Sequence, residues 1–120
     1  MAENTLYPRS THAIAQTRRD LAPETQAAFD AFSRTVFAEG ALSAKMKQII
    51  AVAAAHVTQC PYCIEGHTKA AVRSGATQEE LMEAIWVAVE MRASGAYAHS
   101  AIAIATFGND PEKPKVPAAP

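Results

Sequence analysis

Two thiols and an imidazole stand in one short stretch: Cys60, Cys63 and His67 in Cys60-Pro61-Tyr62-Cys63-Ile64-Glu65-Gly66-His67. At about 100° per helical residue, positions 0, 3 and 7 share roughly a 60° arc of one helix face. Pro61 lacks a backbone N–H, so it suits the first turn of a helix, and the pair then lies where unpaired N–H groups and the helix dipole favour a negative sulfur. A neutral His67 can take the Cys63 proton as general base and, once charged, hold the thiolate. His56, four residues before Cys60, ends the preceding helix and can approach the same sulfurs.

The same residue types allow two other readings. A lone CxxC in a reducing compartment can be two inert thiols, and Cys60, Cys63, His56 and His67 are also four metal ligands by type. Structural zinc sites draw their second ligand pair from a separate loop, whereas here every donor lies on one segment. The aligned histidine and the helix-start proline favour a redox dithiol, and no metal or cofactor is expected.

The elements that must position these groups are helical. Ala22-Pro23-Glu24 reads as a helix start, with Ala27, Phe29, Phe32, Val36 and Phe37 as its apolar face and Gly40 as its end. Ser43 caps a second helix through Lys47-Gln48-Ile49-Ile50 and an alanine-rich run. The helix opened by Pro61 runs to about Arg73 and is closed by Ser74-Gly75. Thr77-Gln78-Glu79-Glu80 is a capping-box pattern that starts a helix with Leu81, Ile85 and Val89 as its packing stripe. Ala93-Ser94-Gly95 is expected to kink that helix or divide it, and Tyr97 to Phe107 is apolar enough to be buried. Residues 1–21 read as a weakly patterned arm with at most a helical turn near Ala13 to Arg18. Residues 109–120 form a Pro-rich tail expected to be mobile, which leaves residues 22–108 as the domain. No strand signal is present, so the fold class is all-α, a compact bundle of about five to six helices.

Composition narrows the function classes. The 120 residues are 49% hydrophobic but only 7% aromatic, and alanine buries little area per residue, so helices should pack closely and gain from assembly into an oligomer. Eleven Lys+Arg against twelve Asp+Glu, with no basic run beyond Arg18-Arg19, leave no electrostatic footprint for nucleic acid. No apolar stretch is long enough to span a membrane, and Met1-Ala2-Glu3-Asn4 lacks the basic and apolar parts of a signal peptide, so a cytoplasmic protein is expected. Trp86 and Met91 read as core or subunit-contact residues. His99 and Tyr97 lie on the last apolar stretch, where a lone histidine is usually a hydrogen-bonded core residue, and His12 is given no role.

The stretch from Lys47 through Cys60-Pro61-Tyr62-Cys63 and His67 to Ala71 resembles the core motif of the alkylhydroperoxidase D-like / carboxymuconolactone decarboxylase family. Gly75 to Ala84 is similar to its next helix, and the likeness extends over about Leu42 to Phe107. A CxxCxxxH behind such a helix is far more specific than a bare CxxC. The resemblance implies a helical bundle assembled into trimers or hexamers and a thiol peroxidase cycle. In that cycle Cys63 attacks a peroxide, organic hydroperoxides being the expected substrates, and becomes a sulfenic acid; Cys60 resolves it to a disulfide. A dithiol donor, a lipoylated or thioredoxin-like protein, then reduces the pair. His67 and His56 are the candidate relay residues. The family's relay commonly includes a glutamate twelve residues before the first cysteine; Gln48 stands there, and an amide can orient an imidazole but cannot take up a proton at neutral pH. Glu83 or Glu90 can replace it only if the fold brings one near. Tyr62 stands where the best-known members carry a further histidine. Two other functions share these features: a redox-responsive oligomeric interaction protein, and a lactone decarboxylase of the same superfamily, which does not depend on a redox dithiol.

Overall fold

The computed structural model describes residues 6–115, in five helices and with no strand among them: α1 His12–Leu21, α2 Pro23–Phe37, α3 Ala44–Thr58, α4 Pro61–Arg73 and α5 Gln78–Asn109. The all-α expectation holds. Each start is set by local chemistry. Thr11, Ser43 and Thr77 side chains accept from the N–H groups of Ile14, Met46 and Glu80, and Pro23 and Pro61 occupy first turns where no N–H is required. The Thr77–Glu80 capping box is complete in both directions.

The N-terminal arm differs from expectation, because α1 is a full ten-residue helix. Its apolar side chains are few in an otherwise polar segment, with Ile14 and Ala15 only half-buried and no residue fully so. Local bonds support it instead: the Thr11 cap, Gln16 donating to Asp20, and Arg18 and Arg19 in its last turn. It ends because Pro23 pushes Ala22 out of the helical region, to φ −151° and ψ 69°. Of the C-terminal tail, residues 116–120 and any mobility expected of them lie outside the described residues, while Asp110 to Lys113 forms a turn closed by the Lys113 N–H donating to the Asp110 carbonyl.

The core is small and centred on α3, which packs along both α4 and α5. Ile49, Val52, Ala71 and Leu81 form its centre, with Ala84 and Ile85 against it. Ala71 is fully buried, which lets α4 approach α3 closely, and burying Val52 contributes on the order of 1.5–3 kcal/mol. α1 packs on α2, and α2 meets α3 only sparsely.

The chain is elongated, 70 × 36 × 35 Å with a radius of gyration of 21.7 Å, against about 14 Å for a compact domain of this length. The cause is α5. Its 32 residues span roughly 48 Å, whereas the 15 residues of α3 span roughly 22 Å, so the second half of α5 has no partner helix among the described residues. The burial expected for Tyr97 to Phe107 is therefore not found in the single chain: Tyr97, Ile102, Ile104 and Phe107 are exposed. Trp86, Val89 and Met91 are exposed too, as are Phe29, Phe32 and Val36 of the α2 apolar face. Nor does Gly95 break α5. A glycine inside a helix costs about 1 kcal/mol relative to alanine without removing a hydrogen bond, and the Ser94 hydroxyl is satisfied by the Glu90 carboxylate one turn earlier.

Candidate redox site

α3 ends at Gln59, which adopts the left-handed conformation at φ 58°, ψ 48°, and the Cys60 N–H donates back to the Ala55 carbonyl at 3.1 Å. The chain reverses within this one residue, so the C-cap of α3 and the N-cap of α4 are adjacent. Cys60 is that N-cap: its Sγ accepts the Cys63 N–H at 3.2 Å, taking the place a serine or aspartate oxygen usually fills. Cys60 and Cys63 are joined by a disulfide, with Cα atoms 5.3 Å apart, and both are half-buried. Once the bond is reduced, a charge on Cys60 Sγ faces the positive end of the α4 dipole with a backbone donor already aimed at it.

One turn beyond Cys63, the half-buried His67 meets two other helices. Its Nδ1–H donates to Gln48 Oε1 on α3 at 2.8 Å, leaving Nε2 with the lone pair. On its face lies the ring of Phe37, the last residue of α2, at a centroid distance of 5.1 Å and an interplanar angle of 25°. Gln48 and His67 are thus brought together as a pair, and Phe37 joins them.

His56 is placed differently. Its Nδ1–H donates to the Val52 carbonyl of its own helix at 2.7 Å, and its ring lines an open groove of about 480 Å³ with Gln59, Pro61 and Ile64. Among the described residues no three His, Cys, Asp or Glu side chains gather as metal ligands would, so the four donors weighed from the sequence do not form one cluster. Neither glutamate weighed as a substitute relay partner meets His67: Glu83 is exposed, and Glu90, also exposed, accepts the Ser94 hydroxyl.

The residue between the cysteines points elsewhere. Tyr62 donates its hydroxyl to the Pro8 carbonyl at 2.6 Å and meets the Tyr7 ring edge-on, so residues 7–10 lie along α4 and enclose a groove of about 310 Å³ with it. Lys69 on that face pairs with Glu65 at 3.0 Å, and the ammonium holds the Glu65 carboxyl below its ordinary range. Neither Phe37 nor the Tyr62–Pro8 contact was legible in the sequence, since they link positions 30 and 54 residues apart and neither carries a motif.

Comparison with known proteins agrees with this fold. The model of the family described as "Carboxymuconolactone decarboxylase family" matches residues 23–106. A Paracoccus denitrificans protein named "Uncharacterized protein 4 in cox locus" is 58% identical over 100 residues, covering 83% of this chain and 89% of that one. An uncharacterized protein of Cupriavidus necator is 33% identical over 85 residues, 71% of this chain and 75% of its own. Among solved structures, a carboxymuconolactone decarboxylase family protein from Legionella pneumophila is similar at TM-score 0.63 and 37% identity, covering 66% of this chain and 70% of that one. A protein from Methanobacterium thermoautotrophicum is similar at TM-score 0.64 and 35% identity, covering 71% and 94%.

Proposed function

The chain belongs to the carboxymuconolactone decarboxylase family, and within it we propose that it is an alkylhydroperoxidase D-like thiol peroxidase and disulfide reductase acting on organic hydroperoxides. The observation that carries this reading is the Cys60–Cys63 pair at the start of α4, one turn from an imidazole whose Nδ1–H is tied to Gln48. A lactone decarboxylase has no use for that pair.

In this reading His67 Nε2 takes the Cys63 proton, and the Cys63 thiolate attacks the peroxide. The O–O bond breaks, sulfur is oxidised to the sulfenic acid, and the alkoxide leaves as an alcohol with the proton His67 returns. The Cys60 thiol then attacks Cys63 Sγ, forming the disulfide, and its proton leaves with the hydroxide as water. A dithiol donor, a lipoylated or thioredoxin-like protein, restores both thiols and is itself oxidised to a disulfide. When the donor thiolate attacks Cys63 Sγ, the electron pair of the broken S–S bond falls on Cys60 Sγ, where the Cys63 N–H and the helix dipole favour it; lower basicity makes the better leaving group. His56 faces the groove beside Pro61 and Ile64, with its Nδ1–H committed to the Val52 carbonyl rather than to either sulfur.

The exposed apolar side chains of α2 and α5 support a homo-oligomer, a trimer or hexamer, as the working form, and a reducing compartment such as the cytoplasm suits the cycle. Reduced protein given stoichiometric organic hydroperoxide should lose two hydrogens by intact mass and resist thiol alkylation, and Cys63→Ser should abolish this. Thiols that stay alkylatable in the wild type would refute the peroxidase reading.

One contact favours a second reading, a redox-responsive interaction protein. The residue enclosed by the disulfide, Tyr62, is the one that residues 7 and 8 dock onto, so closing or opening the bond can be felt by that segment. Limited proteolysis near residue 9 that differs between reduced and oxidised protein would support it; identical cleavage would not.

A further inference from the structure

We propose that Phe37 and Lys47 are positioning residues for His67, forming with Gln48 a two-sided holder that fixes the imidazole plane and so keeps its Nδ1–H on Gln48. For the chemistry, though not for the geometry, this rests on the peroxidase reading above.

A histidine one turn after Cys63 serves as a base only if its ring is turned so that Nε2 carries the lone pair. One hydrogen bond from Nδ1 to Gln48 sets that tautomer only while the ring stays in place: an imidazole free to swing about its side-chain torsions breaks the bond, and both neutral tautomers are then populated. The ring therefore needs a second constraint. Phe37 supplies it, lying on the imidazole face nearly parallel at 5.1 Å, which blocks rotation out of the plane in which Nδ1 meets Gln48.

Phe37 can do this only if the end of α2 is held in place, and packing alone does not hold it. α2 meets α3 sparsely, and Phe29, Phe32 and Val36 on its apolar side are exposed. Lys47 makes the link. Its Nζ donates to the Val36 carbonyl at 2.8 Å and to the Ala38 carbonyl at 2.6 Å, the two carbonyls that flank Phe37 in sequence. These groups lie at the negative end of α2, where helical carbonyls lack intrahelical partners, so a cation satisfies both hydrogen bonding and the dipole. Lys47 also directly precedes Gln48 on α3. Consecutive residues of one helix therefore hold the imidazole from two sides, Gln48 at its Nδ1 edge and Lys47 through the backbone that carries Phe37.

The test compares Phe37→Leu and Lys47→Met with the conservative Phe37→Tyr and Lys47→Arg, each checked for unchanged helical content by circular dichroism. The first readout uses reduced protein without peroxide: nitrogen NMR of the His67 ring, which distinguishes the two neutral tautomers. Wild type, Phe37→Tyr and Lys47→Arg should show the Nδ1–H form in excess, and Phe37→Leu and Lys47→Met a mixture. The second is disulfide formation with cumene hydroperoxide, whose maximal rate should fall about tenfold in Phe37→Leu and Lys47→Met with little change in the peroxide concentration giving half that rate. Ring signals unchanged in both disruptive variants would overturn the proposal, as would equal losses in the conservative and disruptive variants. If the ring signals respond as expected but wild-type protein does not react with peroxide, the positioning role stands and the peroxidase reading fails.

Discussion

His67 and Gln48 face each other across the α3–α4 interface, with the imidazole Nδ1–H donating to the amide oxygen at 2.8 Å. A glutamate side chain has the same length and the same acceptor at this position, but it carries a charge that would stabilise the imidazolium that the proposed cycle forms when Cys63 gives up its proton. Gln48→Glu should therefore raise the rate of disulfide formation with an organic hydroperoxide, by about tenfold, and extend reactivity to higher pH. Stopped-flow rates across pH 5 to 9 would test this. An unchanged profile would mean that position 48 serves only to orient the ring.

Cys60 is the N-cap of α4 and, in the proposed cycle, the resolving thiol, and the two duties can be separated. Cys60→Ser keeps an acceptor for the Cys63 N–H and removes the second thiol, so it should fold normally and stop after a single oxidation of Cys63, detectable as a sulfenic acid adduct. Cys60→Ala removes the cap as well and should cost about 1 kcal/mol more than the serine variant. Urea melts of the two reduced variants measure the difference; equal stability would show that the sulfur does not cap the helix.

How far the site could be read from the sequence depended on how local each feature is. Cys63 and His67 lie on α4 and Cys60 caps it, so sequence spacing alone puts the three on one element, and Ser43, Pro61 and Thr77 each announce a helix start within three residues. Gln48 was placed by resemblance and is found at the imidazole. Phe37 escaped notice because it looks like any other residue of the α2 apolar stripe; its contact with His67 depends on Lys47 reaching the α2 terminus, which no periodicity encodes. α1 was underestimated because its stability comes from caps and i,i+4 pairs rather than from an apolar face, and α5 was over-divided because a glycine flanked by good helix formers weakens a long helix without ending it.

The capping box predicts a pH dependence of known sign. The Thr77 N–H, donating to Glu80 Oε1 at 2.9 Å, is the largest influence holding the Glu80 carboxyl below its ordinary 4.5, followed by Lys45, which pairs with it at 3.0 Å. Because the folded carboxyl is the stronger acid, its contribution is complete above pH 4.5 and is lost as pH falls through the depressed value. Glu80→Gln keeps an acceptor but cannot titrate, so its melting temperature should fall less between pH 6 and pH 3 than that of the wild type. Parallel curves would show that the bond is too exposed to contribute.

The second half of α5 supports a last prediction. Tyr97, Ile102, Ile104 and Phe107 are 82%, 63%, 70% and 57% exposed on a helix that extends beyond the rest of the chain. A helix with apolar side chains all round is stable in water only when neighbouring surfaces cover it. If copies of this chain provide that cover, Ile104→Glu places a charge in the covered interface, where it costs several kcal/mol unless paired, and the assembly should dissociate toward smaller species. Light scattering coupled to gel filtration would read the change directly. The same variant should also lose thermal stability, because the freed second half of α5 has no partner helix among the described residues. An Ile104→Glu protein with the mass and melting temperature of the wild type would show that this face is not where the copies meet.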